Sequence, residues 1–215
     1  MAVKDMNARQ LLAPLGNGKY IPTSDSSLNA HSIATILNDI LINQRASILE
    51  LGSGISTLYI ARLIKSKAIK AKVLSVDSNA AWLSILEEQL TSEGLRELVS
   101  LVHAPLTGKA EDTLLPWYCQ SSLSEALKKV PPLDLVLVDG PIACDKKRML
   151  ARLPAFGFLT PHLASRFAFY LDDTHRDGEK KCMEQWQRKY HVRFQKINPV
   201  CSACWNGDRF NPIAG

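Results

Sequence analysis

Between Ile48 and Thr57 the chain reads Ile-Leu-Glu-Leu-Gly-Ser-Gly-Ile-Ser-Thr, and this stretch limits the possible folds more than any other. An apolar run stops at Gly52 and Gly54, after which Leu58, Ile60, Ala61, Leu63 and Ile64 recur at helical spacing. A buried strand, a tight turn and a helix N-terminus satisfy both halves of the pattern. Glycines at such a turn let a ligand come close to the backbone.

The same rhythm repeats along the chain. Apolar strands are expected at Lys72–Val76, Val99–His103, Leu133–Val138, Arg166–Leu171, Val192–Ile197 and Ser202–Trp205, with helices between most of them. The helices are expected at about Ala30–Ile42, Asn79–Glu93, Ser121–Lys129, from Lys146 into the 150s, and at His175–Lys189. Short helical pieces are also expected around Thr113–Tyr118. Ser27 or Asn29 can cap the first of these helices, and Gly94 closes the second. Alternating strands and helices predict an α/β fold of the Rossmann-like, doubly wound kind: a mostly parallel sheet with helices on both faces. Residues 1–29, polar and turn-rich, are expected to form a loose N-terminal arm with at most one short helix near Asn7–Leu12. Its Tyr20–Ser24 segment would lie over the ligand mouth. Residues 30–215 form a single domain, a size that buries a sufficient core without staples.

Composition excludes several classes. Five cysteines, an odd number, fit reduced thiols in a cytoplasmic protein better than a disulfide framework. Cys201 and Cys204 have metal-ligand spacing, but a closed zinc site would also need Cys182 and His191. The formal charge of +5 is spread over scattered lysines and arginines, which disfavours nucleic acid as a partner. No apolar run approaches a membrane span. The expected partners are a small-molecule substrate and a second copy of the chain.

Open α/β sheets bind ligands beyond the carboxyl ends of their strands. Polar residues stand at those ends here: Glu50 to Gly54, Asp77-Ser78, His103-Ala104, Asp139, and Asp172-Asp173. Asp77 can accept both hydroxyls of a ribose, or cap the following helix. Trp82 can edge a base or belong to the core, Trp117 and Tyr118 can be core or substrate wall, and His103 is expected to be structural. A dinucleotide site would place a third glycine where Thr57 stands and a pyrophosphate across the turn, which Glu50 would repel. An ammonium would instead be attracted.

Taken in order, Glu50-Leu51-Gly52-Ser53-Gly54, Asp77, His103-Ala104-Pro105-Leu106, Trp117-Tyr118, Val138-Asp139-Gly140-Pro141 and Leu171-Asp172-Asp173 with Arg176 and Glu179 resemble a subgroup of small class I S-adenosylmethionine (SAM) dependent methyltransferases. The similarity runs over roughly residues 20 to 205. It implies a seven-stranded sheet and SAM contacts from Glu50, Gly52, Ser53, Gly54, Thr57, Asp77, Ser78, Ala104 and Asp139. Methyltransferases acting on planar amines carry Pro-Pro and an aromatic after the acid; Gly140 and Ile142 break that pattern, which favours a hydroxyl acceptor.

A hydroxyl must lose its proton during transfer, to a base or under the influence of a hard cation. Asp139, Asp172 and Asp173 could gather Mg²⁺, as acids in similar places do in the catechol and caffeoyl-CoA type O-methyltransferases, although those have Asn where this chain has Asp173. Asp139, Asp172 and His175 are the candidate catalytic residues, His175 because imidazole titrates near neutrality. Arg176 is the expected basic partner of the acids. Asp173-Thr174-His175-Arg176-Asp177 also reads as a helix cap. An NAD(P)-dependent oxidoreductase and a non-catalytic SAM- or RNA-binding module are the competing functions.

Overall fold

Strand β1 (Ser47–Leu51) lies at the centre of the sheet because all five of its residues are buried, Glu50 included. In the computed structural model, which describes residues 2–16, 20, 23, 24, 26–107 and 116–214, β1 pairs in parallel with β2 (Lys72–Asp77) on one side. On its other side lies β6 (Leu133–Val138). Strand β3 (Val99–His103) extends the sheet beyond β2, and β7 (Leu163–Leu171) extends it beyond β6, all parallel. The far edge is antiparallel: β9 (Ser202–Asn206) inserts between β7 and β8 (Gln195–Lys196). The order is therefore β3-β2-β1-β6-β7-β9-β8, seven strands in which the chain direction of travel reverses between β1 and β6. Two short strands, β4 (Leu106–Thr107) and β5 (Trp117–Tyr118), form a separate antiparallel pair. Trp117 and Tyr118, expected in a helical piece, are thus extended; residues 113–115 of that piece lie outside the described residues.

Among the described residues seven α-helices cover the two faces: α1 (Ala2–Gly16), α2 (Ala30–Ile42), α3 (Ile55–Lys67), α4 (Ala80–Ser92), α5 (Gln120–Leu127), α6 (Pro154–Leu159) and α7 (Asp177–Tyr190). Helix α2 has the expected bounds, and Asn29 caps it, its side chain accepting from Ser32 N at 2.8 Å. Asn79 does the same for α4, accepting from Trp82 N. After β6 the expected helix from Lys146 is a run of turns, and regular helix begins only at Pro154, whose ring suits a first-turn position.

The N-terminal segment differs from its expectation. Residues 2–16 form a full helix whose Ala8 and Leu12 are buried in the core with Ile33, Ile36 and Ile40 of α2. Helical spacing aligns Ala8 and Leu12 on one face, Leu15 packs beside the same core, and Arg62 of α3 donates to Leu15 O at 2.9 Å. Of the Tyr20–Ser24 segment, Ile21 and Pro22 lie outside the described residues, while Thr23 and Ser24 line the cleft described below.

The two faces of the sheet carry separate cores, so neighbours on β9 have different surroundings. Cys201 and Ala203 join the α1/α2/α3 side; Cys204 joins the side of Cys182, Phe156 and Trp186. The cysteines therefore do not converge, and the zinc arrangement with Cys182 and His191 is not assembled. Beyond β9 the chain returns over α2. Arg209 Nε lies 3.1 Å from the buried Asp39 carboxylate, Asn38 Nδ2 donates to Pro212 O at 3.1 Å, and His31 Nε2 lies 2.9 Å from Ala214 O. Asp39 also accepts from Arg45 and from the Tyr170 hydroxyl, at 2.8 and 2.6 Å, so this buried carboxylate is compensated on three sides.

Candidate active site

Where the chain direction reverses, the turn after β1 and the turn after β6 touch back to back. Asp139 N and Gly140 N both donate to Leu51 O, at 2.9 and 2.7 Å, and Gly52 N donates to Val76 O at 2.8 Å. Gly52 has a φ of +95°, and a Cβ there would sit 2.8 Å from Gly140 N. At Gly140 a Cβ would fall 2.2 Å from the Tyr118 hydroxyl and 2.9 Å from Gly52 Cα. Glycine at both positions is therefore required by proximity, and the two turns frame an open cleft of about 440 Å³. Gly54, by contrast, would present a Cβ to open space at the mouth.

Asp77 lines this cleft from the end of β2. Its Oδ2 accepts from Ser53 N at 3.1 Å and its Oδ1 from Asn79 N at 2.8 Å, so it ties the β1 turn to the start of α4 while keeping further lone pairs toward the cleft. Burial raises its pKa, opposed by the backbone N–H groups of Asn79 and Ser53. Trp82 stands beside it, its indole donating to Ser53 O at 2.7 Å. Ser53, Ser78, Tyr118 and Asp139 complete the polar wall. Trp117 is instead core, in edge contact with Phe158 at 5.2 Å. His103 is exposed and 3.2 Å from Ser78 O, a structural role.

Three residues expected to touch the ligand are placed behind this wall. Glu50 is fully buried, and its carboxylate is held by the hydroxyls of Ser56, Thr57 and Ser75, the last at 2.7 Å. Strand register puts Ser75 directly opposite Glu50 across β1 and β2. Burial raises the Glu50 pKa and the three hydroxyls oppose that rise. The acid braces the turn from below and does not face an ammonium. Thr57 is buried too; its hydroxyl accepts from Gly54 N at 2.9 Å and donates to Glu50. Ala104 is fully buried, and its N–H is donated to Asp77 O at 2.9 Å.

At the ends of β6 and β7 the carboxylates of Asp139, Asp172 and Asp173 offer oxygens within 4.8 Å of one another. Asp139 faces the cleft; Asp172 is buried, and its Oδ1 has no hydrogen-bond partner among the described residues. Asp173 adopts the left-handed conformation, φ +61°, which turns its side chain back toward the other two. Their partner is a residue that no sequence pattern marked. Arg152, only 3% exposed, places Nη2 3.3 Å from Asp139 Oδ1 and 3.1 Å from Asp173 Oδ2, and Nη1 3.6 Å from Glu179 Oε1. Arg176, expected to be the basic partner of the acids, plays a smaller part, reaching Asp173 Oδ2 at 2.7 Å from a more exposed position. Burial drives the Asp139 carboxyl well above its ordinary range, with Arg152 opposing. Burial and the neighbouring Asp173 charge push Asp172 up to about 7, and burial raises Glu179.

Mg²⁺ prefers hard oxygen donors, which this trio supplies. The space between them does not fit the ion, because a guanidinium nitrogen already stands within hydrogen-bonding reach of two of the three. His175 is exposed, lies outside the cleft lining, and makes no hydrogen bond or ion pair among the described residues. Arg176, and not Asp173 or Thr174, is the residue that precedes α7 as its cap.

No family model matches the sequence, and no curated protein matches it. Solved structures do match. A methyltransferase of Podospora anserina bound to S-adenosylhomocysteine (SAH) superposes with a TM-score of 0.63 at 12% identity, covering 94% of this chain and 88% of that one. The O-methyltransferase TomG of Streptomyces achromogenes, in complex with SAM, gives 0.59 at 14% identity over 95% and 90%. An O-methyltransferase of Bacillus cereus in complex with SAH gives 0.56 at 14% identity over 94% and 91%. The chain thus has the Rossmann-like fold of class I methyltransferases over nearly its whole length. Among the described residues no helix is long and apolar enough to cross a membrane.

Proposed function

We propose that the protein is a SAM-dependent methyltransferase acting on a hydroxyl of a small molecule or sugar. One observation carries the reading: the cleft opens at the β1/β6 switch point with a glycine turn on one side, a ribose-competent acid, Asp77, on the second, and a carboxylate of raised pKa, Asp139, on the third. Its volume lies within the range of small-ligand sites, about 300–1,000 Å³. The neighbours solved with SAM or SAH support the same choice of cofactor.

SAM would be held by the turn Gly52-Ser53-Gly54, by Asp77 at the ribose and by Trp82 at the base, and it would supply an electrophilic methyl group. Asp139 is positioned to take the proton of the acceptor hydroxyl. A carboxylate whose proton affinity is raised by burial is a stronger base than one in water, and Arg152 keeps it oriented. Asp172, packed behind, shares the proton load of the cluster. Tyr118, Pro141 and Ile142 form the acceptor side of the mouth, and Ile142 is exposed there to meet an apolar substrate body. No step is assigned to Mg²⁺. His175 is the competing base, and it would have to act from outside the cleft. The cytoplasm is the proposed location, and a homodimer the proposed assembly.

Calorimetry tests the cofactor: SAH is expected to bind and NADH not to. NADH binding without a response to SAM or SAH would establish the oxidoreductase reading instead. Transfer of labelled methyl from SAM into a pool of hydroxylated small molecules tests the reaction, with Asp139→Asn expected to abolish it and His175→Ala to leave it largely intact. Binding of SAH with no transfer to any acceptor would favour the non-catalytic module.

A further inference from the structure

Six contacts converge on the Arg152 guanidinium, and they are of two kinds. Three are to carbonyl oxygens at the strand ends: Nε to Pro141 O at 3.2 Å, Nη1 to Asp172 O at 3.3 Å, and Nη2 to Asp139 O. Three are to carboxylates: Asp139, Asp173 and Glu179. The carbonyl set anchors the group; the carboxylate set uses its charge. Swinging the side chain away would leave three strand-end carbonyls without their donor in a nearly closed interior, which makes displacement by a solvated ion unfavourable.

We infer that Arg152 is the resident cation of this carboxylate cluster, occupying the place a divalent metal would need, so that the site excludes such a metal and works without one. The charge is permanent, since a guanidinium is not deprotonated in proteins. It is also directional. A planar fork can hold the Asp139 carboxylate at the cleft wall while bonding the backbone on either side of it, whereas a hydrated Mg²⁺ would require near-octahedral oxygens and would draw the three acids inward around itself. Bringing a dication alongside a buried guanidinium sets like charges against each other in a poorly screened interior, and the side chain cannot relieve this by leaving. Asp173 fits the assignment. It is shared between Arg152 and Arg176, whose guanidinium groups both bear on its Oδ2.

Arg152 is therefore a positioning residue for Asp139. The role as a base rests on the methyl-transfer reading, but exclusion of metal does not, and the two are measured separately. The purified full chain, freed of metal by EDTA, is titrated with Mn²⁺ and free ion is followed by electron paramagnetic resonance. Wild type and Arg152→Lys are expected to leave the free-ion signal unreduced at millimolar protein. Arg152→Gln, which keeps hydrogen-bonding capacity but removes the charge, is expected to take up one Mn²⁺, and Asp172→Asn added to it is expected to abolish that uptake. Stoichiometric Mn²⁺ binding by the wild type, lost in Asp172→Asn, would overturn the inference. So would folded Arg152→Gln that binds no ion, since the guanidinium charge would then not be what keeps the site closed. If Arg152→Gln does not fold, the wild-type and Arg152→Lys titrations still decide. Turnover, once an acceptor is found, is expected to be unchanged by EDTA or by added Mn²⁺. Failure to find any transfer would count against the methyltransferase reading and leave the Mn²⁺ result standing.

Discussion

Replacing Asp172 by asparagine isolates the cost of keeping a carboxyl group in the cluster. The wild-type side chain is 5% exposed, and burial together with the charge of Asp173 moves its pKa from an ordinary 3.8 to about 7. Between those values the folded protein holds a proton that the unfolded chain has released. Stability from this group is therefore fully present below the unfolded pKa, and it is lost as pH rises through the folded one. Going from about pH 5 to about pH 8, the wild type should lose roughly 2.5 kcal/mol that an amide cannot lose, from a linkage of about 1.4 kcal/mol per pH unit over the part of the window still open. Urea unfolding of both proteins at the two pH values measures it. The stability of Asp172→Asn relative to wild type should improve by that amount across the span. A difference between the two proteins that stays constant with pH would show that Asp172 is ionised throughout, against the effect of its burial and of the Asp173 charge.

Asp77→Ala should weaken SAH binding by about 1.5–3 kcal/mol, read by calorimetry. The same change should also lower unfolding stability by about 1–2 kcal/mol, because the carboxylate secures Ser53 N and Asn79 N; a stability loss without an affinity loss would confine Asp77 to that structural role. Glu50→Ala leaves the hydroxyls of Ser56, Thr57 and Ser75 without their acceptor and should cost about 2–4 kcal/mol in urea unfolding, and a neutral result would contradict the buried brace. Gly140→Ala should destabilise by about 1–3 kcal/mol through crowding against Tyr118 and Gly52. Tyr118→Phe should restore only part of this, since the contact with Gly52 Cα remains; full restoration would mean the two turns can separate.

The strand ends were legible because two simple signals coincide there, an apolar run and a polar stop. Asp77, Asp139 and Asp172-Asp173 stand out that way, and Asn29 is one of the two residues that read as the cap of α2. What a one-dimensional pattern does not carry is the direction in which a polar side chain turns. Glu50 stands at a strand end that reads as a ligand-facing acid, yet its carboxylate faces three hydroxyls. Ser75, opposite it in the register, was the available signal, usable only once β1 and β2 were paired. Arg152 was missed for a related reason. It sits in a run of turns between β6 and α6 where neither period applies, and it reaches one acid before it, Asp139, and two well after it, Asp173 and Glu179. The excess of acids over bases at the strand ends called for a cation without indicating which one. Helix α1 was underestimated because Pro14 and the polar composition outweighed the two apolar positions that anchor it.

The course of the chain after β9 gives the C-terminal segment a use in experiments. Ala214 is buried, its N–H donated to the Thr35 hydroxyl at 3.3 Å and its carbonyl 2.9 Å from His31 Nε2, both in the first half of α2. An environment-sensitive dye at Phe210, an exposed position whose backbone N–H is donated to Asn43 Oδ1, would report whether the segment stays docked on α2. A substitution that undocks the segment would also strip His31, Thr35, Asn38 and Asp39 of partners at once, so damage there should read out as loss of α2 rather than as a local change.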